Sequence, residues 1–357
     1  MSSLFHPGLA VPVRRALARL RTTLVAGLTL GLACTAVQAQ TPVAGTPREL
    51  RLANGAPAGS IWANQAERWV QAVERESQGQ LKLRLFLGAQ LGADTAVIQQ
   101  VASGRIDMAS VSLTSASVLA PEVLVASLPM QYRSRAEFDC VVDTGVGALV
   151  GERLARKGLH MIALSNAGSI QLAGRKGYRT PSDLSGVRAG TTGAKLTMLM
   201  WAALGASPVV VSTPEVAAAF QTGLIDVAAT TPVYHVSSGI NKLAPVISML
   251  DLYQMPSLVV INKKTWDSLS EAQRTTLLRT RTPASSLRQE VADSEERALA
   301  EHVRTGGQVV TSSADRRALT RAQLASRYTE MVAEAGPEGI ELHRRVEEVR
   351  KACEKLR

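Results

Sequence analysis

Aromatic residues make up only 4% of the 357 residues. That scarcity excludes a surface of interleaved aromatic and basic side chains, the kind that holds nucleic acid. It leaves the core to Ala, Val and Leu, which suits helices packed on parallel strands. Histidine is also rare, with five in all. Four of them (His160, His235, His302 and His343) are scattered beyond residue 40, with no His-x-x-x-His and no carboxylate cluster nearby. No metal and no cofactor is therefore expected. No later segment approaches eighteen uninterrupted apolar residues, so direct membrane insertion is not expected. No Gly-x-Ser-x-Gly elbow occurs, and Gly190-Thr-Thr-Gly-Ala-Lys195 has the wrong spacing for a phosphate loop, with Leu196 where Ser or Thr belongs. With no nucleophile–base pair visible, an enzyme is not expected.

The first residues have their own chemistry. Arg14, Arg15, Arg19 and Arg21 form a basic stretch, Leu24 to Ala36 is apolar, and Val37-Gln38-Ala39 places small residues at a cleavage site. This reads as a secretory signal peptide over 1–39, which directs export to the periplasm. Lipidation at Cys34 stays open. The formal charge is +10 for the whole chain. The segment carries four arginines and no acid, so its loss leaves +6 spread along the chain. Such a field slightly favours anionic ligands. Cys140 and Cys353 remain, and an exported compartment permits a disulfide between them.

One pattern occurs twice. An apolar-striped helix runs into Gly104-Arg105-Ile106-Asp107, and another into Gly223-Leu224-Ile225-Asp226. Each Gly sits where a helix stops, because glycine takes positive φ without steric cost. Small and β-branched residues suited to a strand follow each Asp. Two β–α–β units imply two similar α/β lobes with a ligand cleft between them. Each Asp is read as binding backbone N–H groups where its helix turns into the strand.

Between these units the pattern places a helix from about Ala136 to Lys157 and a strand from His160 to Leu164. Leu128-Pro129-Met130 reads as a crossover. Later come a strand from Leu258 to Ile261, a break at Thr282-Pro283, a long helix from Ser286 to about Thr305, and charged amphipathic helices from Ala314.

Leu81-Lys-Leu-Arg-Leu-Phe86, Gln90-Leu91-Gly92, Gly104-Arg-Ile-Asp107 and Thr180-Pro181-x-Asp183-Leu184-x-Gly186 come in order along the chain. Gly205-Ala206-x-Pro208, Gln221-Thr222-Gly223-x-x-Asp226, Ile261-Asn262 and Trp266-x-x-Leu269 follow. Together they resemble the DctP-type solute-binding proteins of TRAP transporters. The resemblance implies a two-lobed periplasmic-binding-protein fold of the α/β class, with mixed sheets flanked by helices, a hinge and C-terminal helices. It implies a receptor that captures a small organic ligand, an organic acid by family habit. The loaded receptor would dock on small and large membrane permease subunits. A receptor for a periplasmic sensor and an enzyme on the same scaffold are the alternatives.

The implied lobes are 40–166 with about 256–295, and 167–255. Helices over 296–357 would pack on both. The family's ligand arginine falls at Gly190, a second arginine at Ile170, and a polar amide at or beside Thr230, so none of the three is retained. Three substitutes are open. Arg188, two residues from Gly190, could supply the charge, with Arg175 and Lys195 also near, or Arg188 is a solvated edge residue. The helix start at Thr191-Thr192-Gly193 could hold an anion. Or the ligand lacks a carboxylate or is larger, with Gly190 making room and Thr230, Thr231 and Tyr234 offering neutral contacts. Asn54 and Ser112, at the C-terminal ends of first-lobe strands, are the expected contributions from the other side.

Overall fold

Gly104 and Gly223 take φ of +79° and +71°. Each ends a helix, and the chain then turns directly into a strand. The structure, a computed structural model, describes residues 47–355. The expected signal segment and Cys34 lie outside the described residues.

The first unit comprises β1 (Arg48–Asn54), α1 (Ile61–Glu76), β2 (Leu81–Phe86), α2 (Asp94–Ala102) and β3 (Met108–Ser112). After α3 (Leu113–Ala116), α4 (Arg135–Val141) and α5 (Gly147–Ala155) comes β4 (Leu159–Gly174). The second unit repeats the order: β5 (Arg188–Thr191), α6 (Lys195–Ala203), β6 (Ser207–Val210), α7 (Val216–Gln221) and β7 (Val227–Thr230). Then follow α8 (Pro232–Ser237), β8 (Val246–Asn262), α9 (Lys263–Ser268), α10 (Glu271–Arg279), α11 (Ala284–Arg304) and β9 (Gln308–Thr311). The chain closes with α12 (Ala314–Ala325), α13 (Tyr328–Glu334) and α14 (Gly336–Lys355).

In each unit the first strand lies between the other two, all parallel: β1 pairs with β2 and β3, and β5 with β6 and β7. The repeated Asp closes the same gap in both. Asp107 Oδ2 accepts the Arg51 N–H at 2.9 Å, and Asp226 Oδ2 accepts the Arg188 N–H at 3.2 Å. The partner N–H therefore belongs to the neighbouring strand and not to the helix turn. Arginine side chains complete each pair, Arg51 on Asp107 and Arg188 on Asp226.

Among the described residues, nine strands form one sheet, ordered β2-β1-β3-β8-β4-β7-β5-β6, with β9 beside β8. β4 and β8 are antiparallel and run through both halves. The sequence pattern shows only the start of β4 and the end of β8: the inner half of β4 is buried at nearly every residue and loses its alternation, and that of β8 is only partly buried and carries Asp251, Gln254 and Pro256. The crossover is made by these two strands, and not at Leu128-Pro129-Met130, which is a turn. Their register shifts between Asn166 and Ser169. There Gly168 has φ +118°, the Asn166 side chain donates to Gln254 Oε1 at 2.7 Å, and Gln254 donates to Ser169 Oγ at 2.7 Å. Bulges bend strands. Polar side chains hold this irregular stretch, which lies midway along both strands.

The core follows the two units. Leu50, Leu52, Val73, Leu81 and Met108 pack under the first, and Phe220, Ile225, Ala228 and Ile240 under the second. Trp201, Phe138 and Phe220 are fully buried, so the scarce aromatics are spent inside, at roughly 2–3 kcal/mol each. The expected helix over 136–157 is divided, with a π turn at Val142–Val146 between α4 and α5. Thr282-Pro283 lies between α10 and α11, and Pro283 is the N-cap of α11, so the break precedes the long helix and does not kink it. A disulfide joins Cys140 on α4 to Cys353 on α14.

Candidate functional site

A cavity of about 550 Å³ opens at the C-terminal ends of the strands of both units. That is the end of an α/β sheet where ligands bind, and the volume is that of a small-molecule site. Asn54 ends β1 and Ser112 ends β3; Thr191 ends β5 and Thr230 ends β7, and all four line the cavity. Ile170, Gly190, Thr192, Thr231 and Tyr234 line it too. Asn54 is buried, and its Oδ1 accepts the Ala56 N–H at 2.9 Å, which fixes the loop after β1. Ser112 caps α3 by accepting the Ser115 N–H at 3.1 Å. Thr231 caps α8 in the same way, accepting the Tyr234 N–H at 3.2 Å.

Arg188 is elsewhere. It is the first residue of β5, and its guanidinium donates to Asp226 from Nε at 2.9 Å and from Nη2 at 2.8 Å. Two residues along a strand span about 6–7 Å, which carries Arg188 to the edge opposite the cavity. It lies outside the cavity lining and is tied to Asp226, which matches the edge-residue alternative. Arg175 donates to the Phe220 carbonyl and Lys195 pairs with Glu334, so neither enters the cavity.

The threonines at the start of α6 are also engaged. Thr191 Oγ1 donates to Thr197 Oγ1 at 2.9 Å, and Thr197 Oγ1 donates to the Ala194 carbonyl at 2.7 Å. Their hydroxyls stabilise the helix start before any ligand arrives. Gly190 makes less room than its lack of a side chain suggests. A Cβ there would stand 2.7 Å from Ile225 Cδ1, so its vacant side points into the second core.

Sequence reasoning missed the features that set the cavity's polarity. Ser112, Ser257 and Ser165 stand in register across β3, β8 and β4, so their side chains share one face. All three line the cavity. Ser165 is buried and its Oγ has no partner among the described residues; the same holds for the cavity-lining Trp62 Nε1. Among the described residues, only two charged side chains line the cavity, Asp94 and Arg281. Arg281 is exposed at the rim, donating to the Ile162 and Leu278 carbonyls. Asp94 opens α2, and a Cβ on Gly55 would stand 2.5 Å from its Oδ1. Burial pushes the Asp94 carboxyl up to about 6. Burial, and then the Asp94 charge, raises the Tyr234 phenol above its ordinary range. An Asp in a helix's first turn is explained by the helix dipole, so the sequence carried no signal of a second role.

Residues 52–335 match the family model for DctP, bacterial extracellular solute-binding protein family 7. The chain belongs to this family. It is therefore a solute-binding receptor of the extracellular type, and not an enzyme. Among its relatives is the 2,3-diketo-L-gulonate-binding periplasmic protein YiaO of Escherichia coli, 27% identical over 286 residues, which are 80% of this chain and 87% of that one. A TRAP periplasmic solute-binding protein from Roseobacter denitrificans, solved with β-D-glucuronate, is 25% identical with a TM-score of 0.76, covering 83% of this chain and 99% of that one. The sugar acid binding protein of Advenella mimigardefordensis, solved with galactonate, has a TM-score of 0.80 at 21% identity, covering 87% of this chain and 99% of that one. At that identity the last comparison speaks to the two-lobed fold.

Proposed function

We propose that this receptor serves a TRAP transport system. It captures a small organic solute between the lobes, closes by bending at the β4 and β8 kinks, and docks on small and large membrane permease subunits. The observation that carries this reading is the cavity: strand ends of both β–α–β–α–β units line it, and β4 and β8 join the units through a bulge. Closure then brings ligand contacts from both sides together, the hinge mechanism of two-lobed receptors. The lobes are 40–166 with about 256–295, and 167–255; helices over 296–357 brace both. Segment 1–39 acts as the export signal and places the receptor in the periplasm. The relatives' organic acids support a solute of similar size.

The test is uptake by membrane vesicles carrying the matching permease subunits, driven by an ion gradient, with and without the purified receptor. Uptake that requires the receptor supports the proposal. A receptor that binds and closes on its solute but never stimulates uptake belongs to a sensor instead.

A further inference from the structure

Asp94 brings a negative charge at neutral pH into a cavity whose other lining side chains, Arg281 at the rim apart, are apolar or neutral and polar. Its carboxylate has no hydrogen bond and no ion pair among the described residues. Arg281, the other charged lining residue, is spent on two carbonyls at the rim. Positions at which the family resemblance places arginines hold Gly190 and Ile170, and Ile225 occupies the space beside Gly190. A ligand carboxylate would therefore meet Asp94 with no interior cation to offset it. A half-buried carboxylate without a partner is partly desolvated, and a ligand of opposite charge offsets that penalty. Trp62 and Tyr234 also line the cavity, and the Asp94 charge reaches the Tyr234 phenol. Rings of that kind also favour a cation.

We propose that the solute carries an ammonium-type cation seated against Asp94, and no carboxylate. Its body packs on the aromatic and apolar walls, and its hydroxyl or carbonyl groups meet the Ser112–Ser257–Ser165 row and the Trp62 indole N–H. The unpartnered, buried Ser165 Oγ is the independent sign that this row awaits a polar ligand group. The inference rests on the receptor reading above and replaces the relatives' acid with a cation in this chain. A charge-assisted hydrogen bond to Asp94 is the dominant polar contact.

The experiment uses the exported full-length protein. Tryptophan fluorescence and thermal unfolding are followed with phenethylamine, tyramine, choline and putrescine, with phenylacetate, succinate and glucuronate, and with neutral 2-phenylethanol. The expected result is saturable binding of at least one amine, with affinity at least tenfold weaker in Asp94→Asn and retained in Asp94→Glu. Melting of ligand-free Asp94→Asn at or above the wild-type temperature shows that the fold is intact. Tight binding of a carboxylate that Asp94→Asn leaves equal or strengthens overturns the cation and leaves the receptor standing. Failure of every amine overturns the cation as well. Native mass spectrometry of the exported protein then separates the two readings: a retained non-cationic molecule keeps the receptor, and no retained molecule and no closure remove it.

Discussion

Gly190→Ala adds one methyl group at a place where the structure leaves no room for it. The new Cβ would lie 2.7 Å from Ile225 Cδ1 and 3.4 Å from its Cγ2. Carbon atoms pack best at about 3.5–4.0 Å, so one contact is short by about 1 Å. Ile225 cannot simply step back. It is fully buried, with Ala219, Phe220, Ala228 and Ile240 in the same cluster. Overpacking of this kind costs about 1–3 kcal/mol. Removing a glycine from a strand returns roughly 0.5–1 kcal/mol. The net expectation is a loss of about 1–2 kcal/mol. Ile225→Val deletes Cδ1 and by itself costs about 0.5–1.5 kcal/mol. The double variant should then be more stable than the sum of the two singles by about 1 kcal/mol, because the clash is gone. Urea unfolding followed by tryptophan fluorescence, with the disulfide intact, reads all four proteins. Wild-type stability for Gly190→Ala, or strict additivity in the double variant, would refute the reasoning and restore Gly190 as open space.

Other expectations concern charge and covalent links. Arg188→Ala should leave solute affinity unchanged, because its guanidinium is held by Asp226 at the far end of β5; a tenfold loss in titration calorimetry would contradict this. Glu295 on α11 accepts the Ser169 N–H at 2.7 Å, and burial pushes its carboxyl up from 4.5 to about 7. A raised carboxyl contributes stability that is full below its unfolded value and is lost as pH rises through the folded one. Glu295→Gln keeps the acceptor and should be more stable than wild type by up to roughly 3 kcal/mol at pH 8 and by almost nothing at pH 4; equal differences at both would be the contrary result. Cys353→Ser removes a bridge across a separation of 213 residues and should cost about 2–5 kcal/mol, seen as a lower urea midpoint that reductant does not lower further.

Much of the frame was legible in the chain. Gly104 and Gly223, each followed two and three residues later by Ile and Asp, announced two equivalent units because glycine at a helix end and an Asp before a strand have local causes. Asn54 and Ser112 were placed in the cleft from strand direction, Thr191 from the helix start that follows it and Thr230 from the family resemblance, and all four line the cavity. Arg188 could not be placed in this way, since the choice between cleft and outer edge depends on where along β5 the cavity begins. Ser165 was invisible because the inner half of β4, buried at nearly every residue, shows no alternation, and Ser257 because the middle of β8 is broken by Asp251, Gln254 and Pro256. Asp94 was hidden by its ordinary helix-start chemistry.

The sequence by itself determined the two β–α–β–α–β units, their turns and their core positions. Those follow from φ preferences and apolar periodicity, which act over a few residues. Tertiary structure alone decided what the cavity holds. Asp94, Ser165, Ser257 and Tyr234 line one cavity only because β4 and β8 run between the units, and proximity over such separations has no local signature. It also decided that the vacancy at Gly190 faces Ile225 and not the ligand, since the direction of a missing side chain depends on what packs beside the strand.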